Sequence, residues 1–591
     1  LTGPRYPVQI VEIDVDFCEN AYGSAPCTAA LSADAPRKCF NTFRTCQDIA
    51  NWAAGTKTLR FARAQSGLPR GMLIYPALKS VSTNPSEINM GGIDDRTGPL
   101  GKRARVTVEL ADFIDSDTGF DPYQAERISG AAQFSGTGYD PRGQGTFFGR
   151  LLARWPYYLG RSLRVLEGYE GQALAAMRTR HYVIAEWEGP DTAGGAVRIV
   201  AKDVLDLAEN DKAVCPAVSK GTLGADIAEA GLPEITLEPA GIGAEYAASG
   251  RASIGSEIVT FTRSGDVVTV TGRAIDGSSA ASHSEGDLFQ QCYRVEDQFI
   301  GDVAADLLEN FAGVDPAFLP TADWDAEGDW LSGFPVTATI AKPTGVAKLL
   351  GELAQHGVFW WWDDVAQKVR MRANRPLAYG ETQQAFSEAG DVVAGSAART
   401  DLVDQRVTQV LVYHGMLDAT GGVEDASNYD MVTVGLNDGG SANKNGQDRI
   451  VRVFTRWLKD GDNNAASELA DRLANRYEDP PKQVTFKLDA KDREDVSPAD
   501  LITLSTWLIQ DATGATDPTE MLVTSTEETS PGHDVKITAV SHGFLGRFGF
   551  IMEDAAPDYD SATDEEKRWG CFLIDDAEET FPDGTDPYVI F

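Results

Sequence analysis

The sequence predicts a mainly β, multidomain chain with minor α content, in which a few helices brace small barrels or sandwiches. Three observations lead there. At 591 residues the chain exceeds the size at which one hydrophobic core stops growing, so roughly three to five domains are expected. Short alternating apolar runs, punctuated by Gly, Pro and Asp, recur through most of its length. Stretches with helical periodicity are few.

Tyr6–Phe17 alternates as a strand, and Thr56–Ala64 and Gly101–Phe113 follow, the last with Val106, Val108 and Leu110 on one face. The Gly-rich loop 136–149 leads into a short helix around Thr146–Ala153, which Pro156 stops. Strands are expected at Ser162–Glu167, His181–Gly189 and Gly194–Leu207, the last running into a short helix. The clearest hairpin joins Ile258–Arg263 to Val267–Arg273 through Ser264-Gly265-Asp266, a three-residue connection whose glycine can supply positive φ. A helix is expected over 295–311, with Phe299, Val303, Leu307 and Phe311 near one stripe, and a second over 343–357 that ends at Gly357. The strand "VFWWWDD" and its partner "VAQKVRMRA" come next. A third helix begins at Asn463 and stops at Pro480-Pro481. Short strands then recur at roughly ten-residue spacing as far as Val540.

These elements suggest five units. Residues 1–225 form an N-terminal β-barrel domain that carries the cysteine segment 18–46; 226–290 form a hairpin-containing inner or inserted subdomain. Residues 291–380 form an α/β domain with the tryptophan strand, and 381–545 a second β-barrel domain. Residues 546–591 form an acidic β extension: from Ile551 onward there are 13 acids against 2 bases, yet "WGCFLID" and "YVIF" are strand-like.

The formal charge is −37, from 89 acidic and 52 basic residues. This argues against a non-specific nucleic-acid binder, which needs dense Lys and Arg. It suits a conduit that nucleic acid passes without sticking, and equally a soluble protein of saline surroundings. No apolar run is long enough to span a bilayer, and no basic-then-apolar leader opens the chain.

Four of the seven cysteines, Cys18, Cys27, Cys39 and Cys46, are concentrated in one segment. Thiolates at such spacing suit an iron–sulfur cluster, whose cubic form tolerates wide, irregular ligand loops. Structural zinc prefers tight Cys-x2–4-Cys knuckles, which this segment lacks. Two disulfides and four inert thiols are the other readings. Arg37, Lys38 and Arg44 lie beside the last two cysteines and could balance an anionic cluster. Without a flavin or dinucleotide signature, a bound cluster would be a staple for a loop-rich segment, contributing folding energy. Cys215, Cys292 and Cys571 are isolated and expected to be buried.

Other chemistry is sparse. The six histidines form no compact ligand spacing, and His356 ends a helix. "GIGAEY" lacks the third glycine and the preceding strand of a dinucleotide loop. Trp360–Trp362 and the loop 136–149 are candidate glycan contacts, although alternation sends Trp360 and Trp362 one way and Trp361 the other, so at least one side is core. The acidic tail reads as solvated or calcium-binding. No convergent general acid, base or nucleophile appears, so an enzyme is not expected.

The stretches 11–52, "VEIDVDFCENAYGSAPCTAA…RKCFNTFRTCQDIANW", 145–169 with 181–213, and 476–490 with the closing "PDGTDPYVIF" resemble the baseplate hub, or tail tip, proteins of siphophages and gene transfer agents. The resemblance implies a homotrimer whose β-barrel domains form a ring continuing the tail tube and closing it until infection. It implies a distal tail protein above, fibre or receptor-binding proteins around the tip, and DNA passing through the lumen. Contact with the tape measure protein and with the host envelope also belongs to that picture. It further implies a [4Fe–4S] cluster, with structural zinc as the alternative, and assigns Cys18, Cys27, Cys39 and Cys46 as its ligands. The implied location is the virion tail tip. The alternative is a peripheral tail-associated carbohydrate-binding protein.

Overall fold

The computed structural model describes residues 6–29, 38–65, 67–90, 98–132, 138–192, 194–328, 335–375, 377, 383–436, 446–489, 496–528, 534–542, 547–549 and 587–589. The fold is mainly β, with several separate sheets and few helices, as the alternation indicates. Among the described residues no helix is long and apolar enough to cross a membrane.

The first seven strands are β1 (Pro7–Cys18), β2 (Ala54–Ala62), β3 (Leu78–Asn84), β4 (Arg105–Ala111), β5 (Ser162–Tyr169), β6 (Arg178–Glu188) and β7 (Ala196–Lys202). They form one antiparallel sheet in the order β2-β1-β5-β6-β7-β4-β3. Val11, Ile13 and Val15 of β1 share a core with Val106, Val108 and Leu110 of β4. The helix Phe147–Arg154 fills that core: Phe148 stacks on Phe61, and Phe147 lies against Tyr75 and Phe113. Burying each such ring stabilises the sheet by about 2–3 kcal/mol. On the other face of β1, Arg164 of β5 bridges Glu12 (2.8 Å) and Asp14 (2.5 Å), and Arg60 of β2 meets Glu12 at 2.7 Å.

After β8 (Val214–Cys215), strands β9 (Thr222–Leu223), β10 (Glu234–Glu238), β11 (Ser249–Ile254), β12 (Glu257–Ser264), β13 (Val267–Gly272) and β14 (Gln290–Gln291) form a six-stranded sheet in the order β14-β11-β12-β13-β10-β9. Its core holds Leu237, Ile254, Phe261, Val270 and Phe289. The hairpin turn is tighter than the sequence suggested: Ser264 pairs with Val267, so only Gly265 and Asp266 turn the chain, with Gly265 at φ +61°. Asp266 tightens the corner by accepting from the N–H groups of Gly241 (2.7 Å) and Gly243 (2.8 Å).

The next unit combines β15 (Tyr293–Gln298), β16 (Val336–Ile340), β17 (Thr344–Gly345), β18 (Val358–Asp363) and β19 (Lys368–Ala373) with helices Ile300–Asp306 and Val346–Ala354. The helix expected from 295 begins only at Ile300, because Val295 is buried in a strand opposite Ala338. β8 pairs with β17, tying this unit back to the first domain.

The stretch 381–545 holds two sheets with separate cores. β20 (Gln384–Ser387) and β21 (Ala398–Asp401) precede β22 (Gln409–Met416), β23 (Tyr429–Leu436) and β24 (Ile450–Phe454); β25 (Lys482–Asp489), β26 (Leu501–Ser505), β27 (Thr519–Glu528) and β28 (Asp534–Ser541) follow. One sheet runs β20-β26-β27-β28-β25-β21, the other β23-β22-β24. The helix Asn463–Arg476 covers one face of the three-stranded sheet, placing Ala466, Leu469, Ala470 and Leu473 against Val410 and Val412. In the acidic extension, Arg547–Gly549 pairs with Pro587–Val589; the rest, including "WGCFLID" and Cys571, lies outside the described residues.

Candidate functional site

The cysteine segment is the connection between two neighbouring strands. Phe17 of β1 faces Gly55 of β2, and Cys18 faces Ala54, so the chain leaves the sheet at Cys18 and returns at the same edge. The excursion, residues 19–53, contains only two single-turn 3-10 helices among its described residues, at Phe43–Thr45 and Ile49–Asn51. Irregular loops of this length are uncommon in compact domains and need other means of fixing their shape.

Side chains do much of that work. Cys18 N–H donates to the carbonyl of Asn41 (2.8 Å), and Asn41 Nδ2 donates back to Cys18 O (2.9 Å) and to Asn20 O (3.0 Å). Asn41 has φ +54°, a left-handed conformation that asparagine tolerates better than most residues. Buried Arg127 donates to the carbonyls of Lys38 (3.1 Å) and Cys39 (2.8 Å) while pairing with Asp121 at 2.6 Å. Buried Arg154 pairs in bidentate fashion with Asp117. The Phe40 ring lies 3.6 Å from the Arg127 guanidinium and 4.0 Å from that of Arg154. Farther along, Asp48 accepts from both the N–H (2.5 Å) and hydroxyl (2.9 Å) of Thr28.

Hydrogen bonds tie the four cysteines into the loop in two sets: Asn41 accepts from the Cys18 N–H (2.8 Å) and from the Cys39 thiol (3.4 Å), and Asp48 links Cys46 (3.4 Å) to Thr28 (2.5 Å), the neighbour of Cys27. Cys18 is buried, Cys27, Cys39 and Cys46 are partly so, and all four are free thiols. Burial pushes the Cys39 thiol up; the Asn41 N–H opposes this, and Cys46, Cys27 and Cys18 add to the rise. Burial likewise raises Cys46, which Cys18 and Cys27 raise further and the Asp48 N–H (3.4 Å) opposes. Tyr22 and Tyr123 stand beside the group and are themselves raised, by burial first, with Cys39 and Cys27 contributing. The sulfurs are gathered without being drawn to ligand spacing: among the described residues no three His, Cys, Asp or Glu side chains form a group that could hold a metal ion. By chemistry alone, four soft thiols on one irregular loop are of the ligand type that iron–sulfur or zinc centres use, and the arrangement seen here would have to close up to bind either.

Of the basic residues first linked to these thiols, two are described. Lys38 pairs with Glu126 (3.0 Å) and lies over the Tyr123 ring, Arg44 is exposed, and Arg37 lies outside the described residues. The residues that hold the loop are Arg127, Arg154 and Asn41. Arg154 was detectable, since it shares the 147/151/154 stripe of a short apolar helix, where a buried arginine demands a carboxylate partner.

The other residues singled out by the sequence have these surroundings. Cys215 and Cys292 are buried, and burial pushes the Cys292 thiol up to about 12. His356 hydrogen-bonds Thr455 (2.8 Å) and burial lowers it to about 4. Trp360 and Trp362 belong to the core, with Trp362 Nε1 donating to the carbonyl of His181 (3.1 Å). Part of the Gly-rich loop lies outside the described residues; Asp140 caps its 3-10 turn, Pro141–Gly143.

No family model and no curated relative matches the chain. Among solved structures it is similar to a 43 kDa tail protein of prophage MuSo2 from Shewanella oneidensis, at 9% identity and TM-score 0.33, covering 79% of this chain and 98% of the other. It is similar to a tail protein from Neisseria meningitidis MC58, at 10% identity and TM-score 0.34 with the same coverage. It is also similar to the E. coli c3393 protein, a type VI secretion component structurally similar to the T4 tail proteins gp27 and gp5. That match has 8% identity and TM-score 0.29, covering 80% of this chain and 75% of the other. These are likenesses of loose overall arrangement.

Proposed function

We propose that the chain is a structural, non-enzymatic hub at the tip of a phage-like tail, within the virion, and that Cys18, Cys27, Cys39 and Cys46 hold a [4Fe–4S] cluster. The observation that supports this reading is that all four thiols lie at the start of, or within, the single β1–β2 excursion, in the stretch whose sequence resembles the cluster segment of tail hubs. Once bound, the cluster supplies cross-linking of an irregular loop, and hence folding energy. Asn41 and Arg127 hold the loop backbone on either side of Cys39, and Tyr22 and Tyr123 shield the thiols.

In this reading three copies form a ring that continues and closes the tail tube, with the distal tail protein above and fibre or receptor-binding proteins around it. The tape measure protein meets it from within, and the host envelope lies below. The net charge of −37 suits a lumen along which DNA slides without binding. Self-association is supported by the uncovered face of the three-stranded sheet, where Val432, Val434, Leu436 and Ile450 are exposed. Native mass spectrometry and electron microscopy of the full chain test this. A three-copy ring with an acidic lumen is expected, and a monomer, or a basic lumen, contradicts it. Val434→Lys should weaken ring assembly at least about tenfold, about 1.4 kcal/mol, as read by sedimentation.

A further inference from the structure

A cleft of about 340 Å³ opens where three units meet. Its walls come from β6 of the first sheet, the β18–β19 hairpin, and the loop before β26 with the end of β27. The volume lies in the range of small-ligand sites and suits one or two sugar rings.

Its chemistry excludes several ligand classes. Arg180 faces Asp364 at 3.6 Å, and Arg370 faces Asp363 at 3.4 Å and Asp323 at 3.0 Å. With Asp500 and Glu527 also in the wall, carboxylates outnumber the guanidiniums of Arg178, Arg180 and Arg370. A phosphate or other anion would therefore meet arginines that already have acidic partners, and additional negative charge besides. A bare metal ion finds no ligand group here among the described residues. What the cleft offers is carboxylate acceptors and guanidinium donors side by side, next to an aromatic surface. Trp361 and Trp362 both line the cleft: Trp362 belongs with Trp360 to the main core, while Trp361, on the opposite face of the strand, is half-buried against a smaller core, its ring 5.7 Å from Phe359. Each hydroxyl of a sugar is both donor and acceptor, and the C–H face of the ring packs on an indole.

We infer that this cleft binds a neutral saccharide of one or two rings, stacked on Trp361 and hydrogen-bonded by the Asp364–Arg180 and Asp363–Arg370 pairs. Because the walls belong to three units, an occupied cleft resists their separation. The inference does not rest on the tail reading, and ring assembly or iron content can fail while sugar binding stands.

The test uses the full chain and a defined panel: maltose, cellobiose, lactose, trehalose and N,N′-diacetylchitobiose, each at millimolar concentration, followed by saturation-transfer NMR and calorimetry. At least one sugar should bind, and Trp361→Ala should weaken it about tenfold or more. Trp361 also packs on Phe359, so Arg178→Ala, at an exposed position of the cleft wall on β6, provides the second variant; it should weaken the same sugar severalfold, with thermal unfolding followed for both variants so that loss of binding is separated from loss of fold. Absence of binding across the panel overturns the inference. So does binding that survives both variants, and so does a preference for inorganic pyrophosphate over every sugar.

Discussion

The cysteine excursion, 19–53, and the six-stranded domain of β9–β14 solve the same problem in opposite ways. Each places ionisable groups out of water. In the β domain, Glu257 is fully buried, and its environment is complete: Arg273 reaches it through Nε (2.8 Å) and Nη2 (2.6 Å), His283 at 2.8 Å, and the N–H groups of Ala281 (3.1 Å) and Ala274 (3.3 Å). Burial pushes this carboxyl up, but Arg273, then His283, then the two N–H groups outweigh it and hold it at about 2. In the excursion, Cys39 is raised by burial and again by three neighbouring thiols, with only the Asn41 N–H acting against them. Three cations packed on the loop are paired elsewhere: Arg127 with Asp121, Arg154 with Asp117, Lys38 with Glu126. One region buries a charge and surrounds it with donors; the other buries thiols whose raised pKa values keep them neutral, so the contrast is between a satisfied carboxylate and protonated sulfurs.

The largest expected effect attacks the thiol side of that contrast. Replacing Cys39 and Cys46 together with serine should take iron from about four per chain to near zero. Calorimetry should show the domain of β1–β7 losing stability on the order of 10 kcal/mol, as for structural metal sites, while the β9–β14 domain keeps its transition. Next comes Arg127→Ala, which strands buried Asp121 and frees the Lys38 and Cys39 carbonyls; denaturant unfolding should show a loss of about 3–5 kcal/mol. Glu257→Gln should cost the β9–β14 domain about 3 kcal/mol and leave iron binding untouched. Because folding lowers the Glu257 pKa, its contribution is complete above about 4.5 and is lost as the pH falls through about 2. Acid titration of the wild-type domain should therefore show a downward slope in that window that E257Q lacks. The smallest effect is Arg44→Ala: this exposed residue should change stability by less than about 0.5 kcal/mol. A larger loss of iron would return it to the role its sequence neighbourhood first suggested.

Much of the fold was legible because alternation reports which face of a strand is covered. β1, β4, β12, β13 and the β18–β19 hairpin all fall where the pattern places them. The misreadings occur where tertiary contacts override local period. Residues 295–298 fit a helical stripe, yet Val295 pairs across a ribbon with Ala338. The hairpin at Gly265 closes one residue tighter than its composition implied, because Asp266 binds two backbone N–H groups of a distant turn. For the site, the cysteines stood out by density alone, whereas their supports did not. Arg127 acts on Lys38 and Cys39 across nearly ninety positions, and no local pattern carries such a contact. Trp361 was visible as the odd member of a tryptophan run, but the cleft it enters is assembled from three separate units.

The proposed cluster on the four thiols makes a definite chemical prediction. Iron and acid-labile sulfide, measured together on anaerobically purified protein, test it most directly. Equal iron and sulfide at about four each per chain, lost in the Cys39→Ser, Cys46→Ser variant, is the expected result. Stoichiometric zinc without sulfide, or two disulfides among Cys18, Cys27, Cys39 and Cys46, would contradict it.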